Sequence, residues 1–293
     1  MFRRTAVPLL GAAVAAALLG APSQAAPSEA SEATDTRPLR YVAMGDSYSA
    51  ASGVLPPDPT APAQCLRSIR NYPHVIAART EVRLVDVTCG GAETKNYFRS
   101  QYDGVPPQLD ALTRRTRLVT MTIGGNNNDT FIGAIIKCGA AGLVAGGKGS
   151  PCEEQYGSSF ADDIRTKTFP ALLRALRAVH RRAPRARVAI LGYPWILPER
   201  VGCFDRLPVA RGDVPYVHGI QALLNRKVRR AASRTGSSYV DLSKVSVGHD
   251  ACRPIGERWI EPIIGTTNPI VVHPNALGER KMARRTMRVM KLG

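Results

Sequence analysis

Short apolar runs alternate with longer segments in which apolar residues recur at helical spacing. The runs rich in β-branched residues predict strands at 40–44, 82–87, 117–123, 187–192 and 238–242. Helical spacing predicts helices near 71–80, 105–113, 160–182, 215–235 and 276–290. Nearly continuous apolar strands separated by helices predict an α/β fold with a central parallel sheet covered on both faces. The glycine-rich stretch 137–158 interrupts this pattern and indicates a loop or insertion.

The amino-terminal 26 residues have the pattern of a secretory signal peptide. A basic start, an apolar stretch and the small-residue sequence SQA ending at Ala25 follow one another. The apolar stretch is short for a membrane span, although an uncleaved anchor is the alternative. The polar, proline-containing segment 27–38 predicts disorder. We therefore expect a secreted, extracellular protein whose folded domain covers 39–293.

Six cysteines agree with an oxidising compartment. They are Cys65, Cys89, Cys138, Cys152, Cys203 and Cys252. No C-x-x-C pair suggests zinc or a redox site, and H-E-x-x-H is absent, so we expect no metal. Sequential pairing is the simplest of the many connectivities, and free buried thiols are the alternative.

A net charge of +17 raises the question of an anionic partner, since 40 Lys and Arg oppose 23 Asp and Glu. The basic residues cluster in segments with helical apolar spacing, which is typical of solvated helix faces. No nucleic-acid-binding motif accompanies them, so we expect no nucleic-acid partner. Peripheral contact with anionic lipid surfaces is the expectation that the charge supports.

Three successive predicted strands end in unusual residues. The first ends in Gly45-Asp46-Ser47, the second in TCGGAET at 88–94, and the third in IGGNNND at 123–129. Ligands bind outside the carboxyl ends of parallel strands, so these turns can converge on one site. A serine hydroxyl needs a base, and a developing oxyanion needs pre-oriented donors. Glycine and asparagine turns can supply such donors, although each turn alone is ordinary turn chemistry.

A histidine is the expected base, and the chain has five. They are His74, His180, His218, His249 and His273. His273 stands in a loop directly before the terminal predicted helix, which Pro274 and Asn275 introduce. Position alone gives it a modest preference.

The stretches GDSYSAASG, CGGAET, GGNNND and HPNALG resemble, in this order, the four sequence blocks of the GDSL-type SGNH hydrolases. The likeness spans about 41 to 290 and is closest to the secreted, three-disulfide esterases and lipases of actinomycetes. It implies a three-layer α/β/α flavodoxin-like sandwich and carboxylic-ester hydrolysis through an acyl-serine intermediate. It implies no cofactor.

The resemblance also implies roles for individual residues. Ser47 corresponds to the nucleophile, with its own N–H in the oxyanion hole, and His273 to the general base. Gly91 corresponds to the second-block donor, with Gly90 one register away. Asn126 corresponds to the third-block donor, with Asn127 and Asn128 as weaker candidates. The implied disulfides are Cys65–Cys89, Cys138–Cys152 and Cys203–Cys252.

One position departs from the family pattern. Many members carry an aspartate three residues before the histidine, where this chain has Ile270. We predict a Ser-His dyad in which the backbone carbonyl of Ile270 orients the ring and fixes its tautomer. The alternative is a carboxylate from elsewhere, Glu257 or Glu261.

The motifs therefore predict a secreted serine esterase or lipase. No serine fits the G-x-S-x-G elbow, and no P-loop is present. The aromatic content of 6% gives little support to a sugar-stacking platform, so we expect lipid-like acyl esters and a monomeric enzyme. The alternative is a basic secreted protein that binds anionic polymers or surfaces without catalysis.

Overall fold

A five-stranded parallel sheet is the centre of the computed structural model, which describes residues 38–292. The predicted signal peptide and segment 27–38, apart from Pro38, lie outside the described residues. The strands are β1 (Leu39–Gly45), β2 (Val82–Asp86), β3 (Leu118–Thr122), β4 (Arg187–Leu191) and β5 (Ser238–Val240). Each falls within two residues of a predicted strand at both ends. The strand order is β2-β1-β3-β4-β5, so the chain reverses direction across the sheet after β2.

Helices cover both faces of the sheet. Successive side chains of a strand point to opposite faces, so each face of the sheet presents apolar side chains that a layer of helices buries. The helices are α1 (Ser47–Ala50), α2 (Tyr72–Ala77), α3 (Ile132–Val144), α4 (Pro151–Tyr156), α5 (Ser159–Asp163), α6 (Phe169–Arg182), α7 (Val214–Thr235) and α8 (Ala276–Met290). On one side of the sheet, Val42 and Met44 of β1 join the core that helices α3, α6 and α7 complete. On the other, Tyr41 and Ala43 pack with α2 and α8. The three-layer α/β/α prediction is confirmed.

Two helix predictions need correction. The segment 105–113 contains only a short 3₁₀ turn at Gln108–Ala111, and 160–182 is divided between α5 and α6 by a π-helical turn at Ile164–Thr168. The predicted loop 137–158 is largely helical, since α3 extends through it to Val144 and α4 follows. One of its glycines permits close packing inside α3, because a Cβ on Gly142 would lie 2.2 Å from the carbonyl oxygen of Pro208.

Three disulfides join the cysteines in sequential pairs. They are Cys65–Cys89, Cys138–Cys152 and Cys203–Cys252. All six cysteines lie in segments that follow the carboxyl end of a strand, and none lies within the sheet. Two of the crosslinks join segments that follow different strands, and Cys138–Cys152 joins α3 to α4 within one connection. Of the helices between residues 38 and 292, none has the length and apolarity needed to cross a bilayer.

Candidate active site

Ser47 is the first residue of α1, and only Asp46 separates it from Gly45 at the end of β1. Asp46 caps the helix, and its carboxylate accepts a 3.1 Å hydrogen bond from the Tyr48 N–H. The sharp exit requires glycine at the preceding position, because Gly45 has φ +119° and a Cβ there would lie 2.2 Å from the Thr122 carbonyl oxygen. This turn places the Ser47 side chain at the carboxyl edge, where it is 5% exposed.

Ser47 and His273 are in direct contact although 226 residues separate them in sequence. The Ser47 hydroxyl lies 2.7 Å from His273 Nε2. His273 enters from the loop before α8, and Asn275 caps that helix by accepting from the N–H groups of Leu277 and Gly278. A neutral imidazole with its proton on Nδ1 can accept the serine proton at Nε2.

The second ring nitrogen of His273 donates to a backbone carbonyl. Nδ1 lies 2.7 Å from the carbonyl oxygen of Val271, so the prediction that Ile270 supplies this carbonyl is wrong. The reason is the local turn: Val272 has φ +61° and its N–H donates to the Glu261 carbonyl, which leaves the carbonyl two residues before the histidine facing the ring. The Ile270 backbone and side chain instead lie against Gly53.

The two carboxylates considered as alternatives have other partners. The Glu257 carboxylate pairs with Arg253 at 3.0 Å on the surface. The Glu261 carboxylate is buried and pairs with Arg258 at 2.6 Å, while its backbone N–H donates to the His273 carbonyl. Glu261 therefore supports the histidine loop through its backbone and through its carboxylate, which accepts from the Asn275 side-chain amide at 2.8 Å. It does not contact the ring nitrogen that the Val271 carbonyl occupies.

Burial favours the neutral form of the base. His273 is 8% exposed, and its desolvation lowers the pKa of the imidazole below the ordinary histidine value, while the hydrogen bond to Val271 opposes this shift. A neutral imidazole at pH 7 is the form that can take a proton from Ser47.

The loop after β2 carries Gly90 and Gly91 to the same edge. It is held by the Cys89 N–H, which donates to the Gly45 carbonyl, and by the Gly90 N–H, which donates to the Cys65 carbonyl. Within residues 38–292, the N–H groups of Ser47 and Gly91 have no hydrogen-bond acceptor. These two N–H groups are consequently free to donate to a bound oxyanion.

The three asparagines after β3 differ in how their side chains are used. The Asn126 amide nitrogen donates to the Ala92 carbonyl at 3.1 Å, which uses one of its two hydrogens. The buried Asn127 side chain accepts from the Thr94 N–H and donates to the Thr94 hydroxyl. Asn128 is exposed and lies 3.4 Å from Thr168. Asn126 therefore has one amide hydrogen left to donate, and the Asn127 side chain joins the loop after β2 to the loop after β3.

The carboxylate of Asp46 is the centre of a buried hydrogen-bond network beneath Ser47. It accepts from the Thr122 hydroxyl at 2.6 Å and from the Tyr193 hydroxyl. Burial raises the pKa of Asp46 to about 6, and the bonds from Thr122 and Tyr193 oppose this shift. The network holds the turn that carries Ser47 against β3.

The other four histidines contact groups outside this constellation. Two ring nitrogens bond to side chains: His74 to Asn71 and His180 to Ser237. The other two rings stack on tryptophan, His218 on Trp195 and His249 on Trp259. Only His273 meets Ser47 in the described part of the chain. Nor do residues 38–292 contain a group of three His, Cys, Asp or Glu side chains placed to hold a metal ion.

Two supporting contacts are invisible to sequence reasoning. Gln108 exchanges hydrogen bonds with both the N–H and the carbonyl of Gly45, from 63 positions away. Val271 supplies its carbonyl, a group that every residue carries. No residue-type signal marks either of them.

The chain is similar to known proteins in sequence and in fold. The family model of the GDSL-like lipase/acylhydrolase family matches residues 43–281. The chain is 58% identical to Lipase 2 of Streptomyces coelicolor, over 96% of this chain and 95% of that protein. The crystal structure of the extracellular lipase from Streptomyces rimosus aligns with a TM-score of 0.70 at 25% identity, over 86% of this chain and 98% of that one.

A phospholipase A1 from Streptomyces albidoflavus is equally similar in structure. It aligns with a TM-score of 0.71 at 25% identity, over 87% of this chain and 98% of that one. Family match, sequence identity and fold all point the same way. The chain belongs to the GDSL-like lipase/acylhydrolase family and is a carboxylic ester hydrolase.

Proposed function

We propose that this protein is a secreted hydrolase of lipid-like acyl esters that works through a Ser47–His273 dyad assisted by the Val271 carbonyl. The observation that carries the proposal is the 2.7 Å contact between the Ser47 hydroxyl and His273 Nε2, with Nδ1 bonded to a carbonyl. A base positioned on the hydroxyl is what turns a serine into a nucleophile.

The first half-reaction forms an acyl-serine. Ser47 Oγ attacks the ester carbonyl carbon while His273 Nε2 takes the hydroxyl proton. The carbonyl π-electrons move onto the oxygen, and a tetrahedral oxyanion results. The Val271 carbonyl accepts the Nδ1 hydrogen throughout and so holds the ring in the tautomer that leaves Nε2 free.

The oxyanion is bound by donors from three different loops. These are the N–H of Ser47, the N–H of Gly91 and the side-chain amide of Asn126. The hydrogen bonds that fix these loops to one another, such as Asn126 to Ala92, orient the donors before the substrate arrives. In many acyl-transfer enzymes, pre-oriented donors make the largest single contribution to the stabilisation of the transition state.

Collapse of this intermediate completes the acyl-serine: protonated His273 gives its proton to the leaving alkoxide as the C–O bond breaks, and the alcohol departs. The second half-reaction returns the serine. Water attacks the acyl carbon with His273 as base, the bond to Ser47 Oγ breaks, His273 returns the proton to Ser47, and the carboxylic acid leaves.

The similar proteins support lipid-like esters as substrates and the extracellular space as the location. The names of the relatives include lipases and a phospholipase A1, and one of them is an extracellular lipase. Three disulfides suit an oxidising compartment. The net charge of +17 suits an enzyme that meets anionic lipid surfaces as a monomer.

Hydrolysis of a panel of p-nitrophenyl acyl esters, a phospholipid and an acetylated sugar tests the proposal. Wild type should hydrolyse the lipid-like esters first, and Ser47→Ala should lower kcat by about 10⁴-fold or more without unfolding. Ser52→Ala is the matched control, because this buried serine lies on the same turn and its hydroxyl has no partner among the described residues. Full activity in Ser47→Ala, or none in wild type on any ester, would refute the dyad.

A further inference from the structure

Helix α3 exposes an apolar surface where a folded domain normally presents polar residues. Ile136 is 60% exposed, Leu143 59% and Val144 92%. Together with exposed Ala140 they recur at intervals of three and four residues, which places them on one side of the helix. We call these four residues the apolar ridge. Contiguous exposed apolar side chains on a soluble domain mark an interaction site.

The helix that carries the apolar ridge is connected to both halves of the active site. Helix α3 begins at Ile132, six residues after Asn126, so the helix continues the loop that supplies an oxyanion donor. On another side of the same helix, a Cβ placed on Gly139 would lie 4.0 Å from Ile263, which belongs to the segment leading to His273. A lipid surface that rests on the ridge would therefore contact the helix that packs on the segment leading to His273.

Neighbouring loops widen the apolar surface. Phe204 packs over the backbone at Gly147, just beyond the end of α3, and is itself partly exposed. Cationic groups lie at that end: Lys148 and Arg211 are exposed, and the Arg211 N–H donates to the Gly147 carbonyl. The acidic neighbours are Asp205 beside Phe204 and the exposed Glu153 and Glu154 on α4, the helix that a disulfide joins to α3. The surface thus has an apolar centre and a rim of mixed charge.

The net positive charge of the folded unit favours anionic over neutral lipid surfaces. The first 37 residues hold three arginines and three acidic residues, so the net charge of +17 belongs entirely to residues 38–293. A strongly cationic body is drawn to anionic lipid over a range of about one Debye length, and apolar side chains then anchor it at the headgroup boundary.

We infer that the apolar ridge is the surface by which this enzyme docks on an anionic lipid–water interface, with Leu143, Val144 and Ile136 inserted among the acyl chains. The inference rests on the proposed function, since lipid-like esters are what such an interface would deliver. Docking there keeps the enzyme on the aggregate that holds the substrate, while Lys148 and Arg211 near Gly147 meet the headgroups.

Vesicle binding by full-length protein carrying Ser47→Ala, which prevents digestion of the lipid, tests the inference. Co-sedimentation with phosphatidylglycerol vesicles should weaken about tenfold or more when Leu143→Gln and Val144→Gln are added, because two apolar side chains that would insert into the lipid are lost. The matched control is Leu39→Gln: Leu39 is 44% exposed but lies at the amino end of β1, the opposite edge of the sheet, and should leave binding unchanged. Thermal unfolding checks that every variant is folded.

The same proteins separate this inference from competing explanations. Unchanged binding by the ridge variant overturns it, and so does a binding loss of equal size in Leu39→Gln. A wild-type dimer in sedimentation velocity that the ridge variant dissociates would make the ridge an interface between two copies and also overturn it. Hydrolysis of a soluble short-chain ester by proteins with Ser47 intact reports the proposed function separately, because that substrate needs no interface.

Discussion

The hydroxyl of Tyr48 donates a 2.8 Å hydrogen bond to the carbonyl of Val272. Tyr48 follows Ser47 and Val272 precedes His273, so this one bond links the backbones on which the two reacting side chains stand. The tyrosine ring is also buried and lies 5.2 Å from the imidazole, measured between ring centroids. The dyad is thereby fixed by a positioning residue that touches neither reacting atom.

Replacing Tyr48 by phenylalanine should therefore loosen the dyad without removing it. We expect kcat to fall by about tenfold with little change in KM, because the proton-transfer geometry is disturbed and substrate contacts are not. The unpaired Val272 carbonyl should lower the free energy of unfolding by roughly 1–3 kcal/mol. Steady-state kinetics and denaturant titration measure both, and a loss expressed mainly in KM would argue against a positioning role.

The three asparagines after β3 should respond differently to alanine. Asn126→Ala should lower kcat by about 10²–10³-fold, the usual cost of one oxyanion donor. Asn127→Ala should mainly lower the free energy of unfolding, because it leaves two polar groups of Thr94 unpaired. Asn128→Ala is the exposed control for activity and should leave kcat unchanged, while its φ of +54° makes alanine costly there by about 1 kcal/mol of unfolding free energy. A large kcat loss confined to Asn128→Ala would reassign the donor.

The carbonyl-assisted dyad predicts that no carboxylate is needed on His273. Glu257→Gln should leave kcat unchanged. Glu261→Gln should lower the free energy of unfolding by about 3–5 kcal/mol, because Arg258 is left buried without its partner. Replacing both Arg258 and Glu261 by Met should recover part of that stability. A kcat collapse in Glu257→Gln would instead indicate a conventional triad.

The lowered pKa of His273 should be visible in the pH dependence of activity. Protonated imidazole cannot accept the Ser47 proton, so kcat/KM on a neutral soluble ester should fall on acidification, with a midpoint below about 6.5. Because Asp46 titrates in the same range, the pH dependence of kcat/KM should also be measured in Asp46→Asn. The fall of kcat/KM on acidification should persist in that variant. A midpoint above that of free histidine would contradict the burial argument.

Asp46 should make stability depend on pH with a definite sign. Its folded-state pKa of about 6 lies above the ordinary value of 3.8, so its contribution to stability is complete below pH 3.8 and is lost as pH rises through about 6. The free energy of unfolding of wild type, minus that of Asp46→Asn, should fall by roughly 3 kcal/mol between pH 4 and 7.5. Denaturant titrations of both proteins across this range measure it, and a constant difference would refute the shift.

The sequence predicted the elements whose patterns are strong and the site residues whose chemistry is distinctive. All five strands follow from apolar β-branched runs, and the terminal helix from its Asn275 cap. Helix α3 is not predicted because Gly139 and Gly142 signal turns, whereas in the structure Gly142 admits the backbone of Pro208 and Ala210, and Gly139 packs against side chains. The Val271 carbonyl could not be predicted, since its orientation depends on the positive φ of the next residue.

The disulfides also have a chemical consequence. All three lie in the connections between strands or after β5, so they leave the sheet to its apolar core. Cys89 immediately precedes Gly90 and Gly91, so its bond to Cys65 anchors the oxyanion loop. Both cysteines are buried, so replacing Cys65 and Cys89 by alanine, and not adding a mild reductant, is the way to remove this bond alone. The variant should lose ester hydrolysis while circular dichroism still reports a folded sheet, and unchanged activity would disprove the anchoring role.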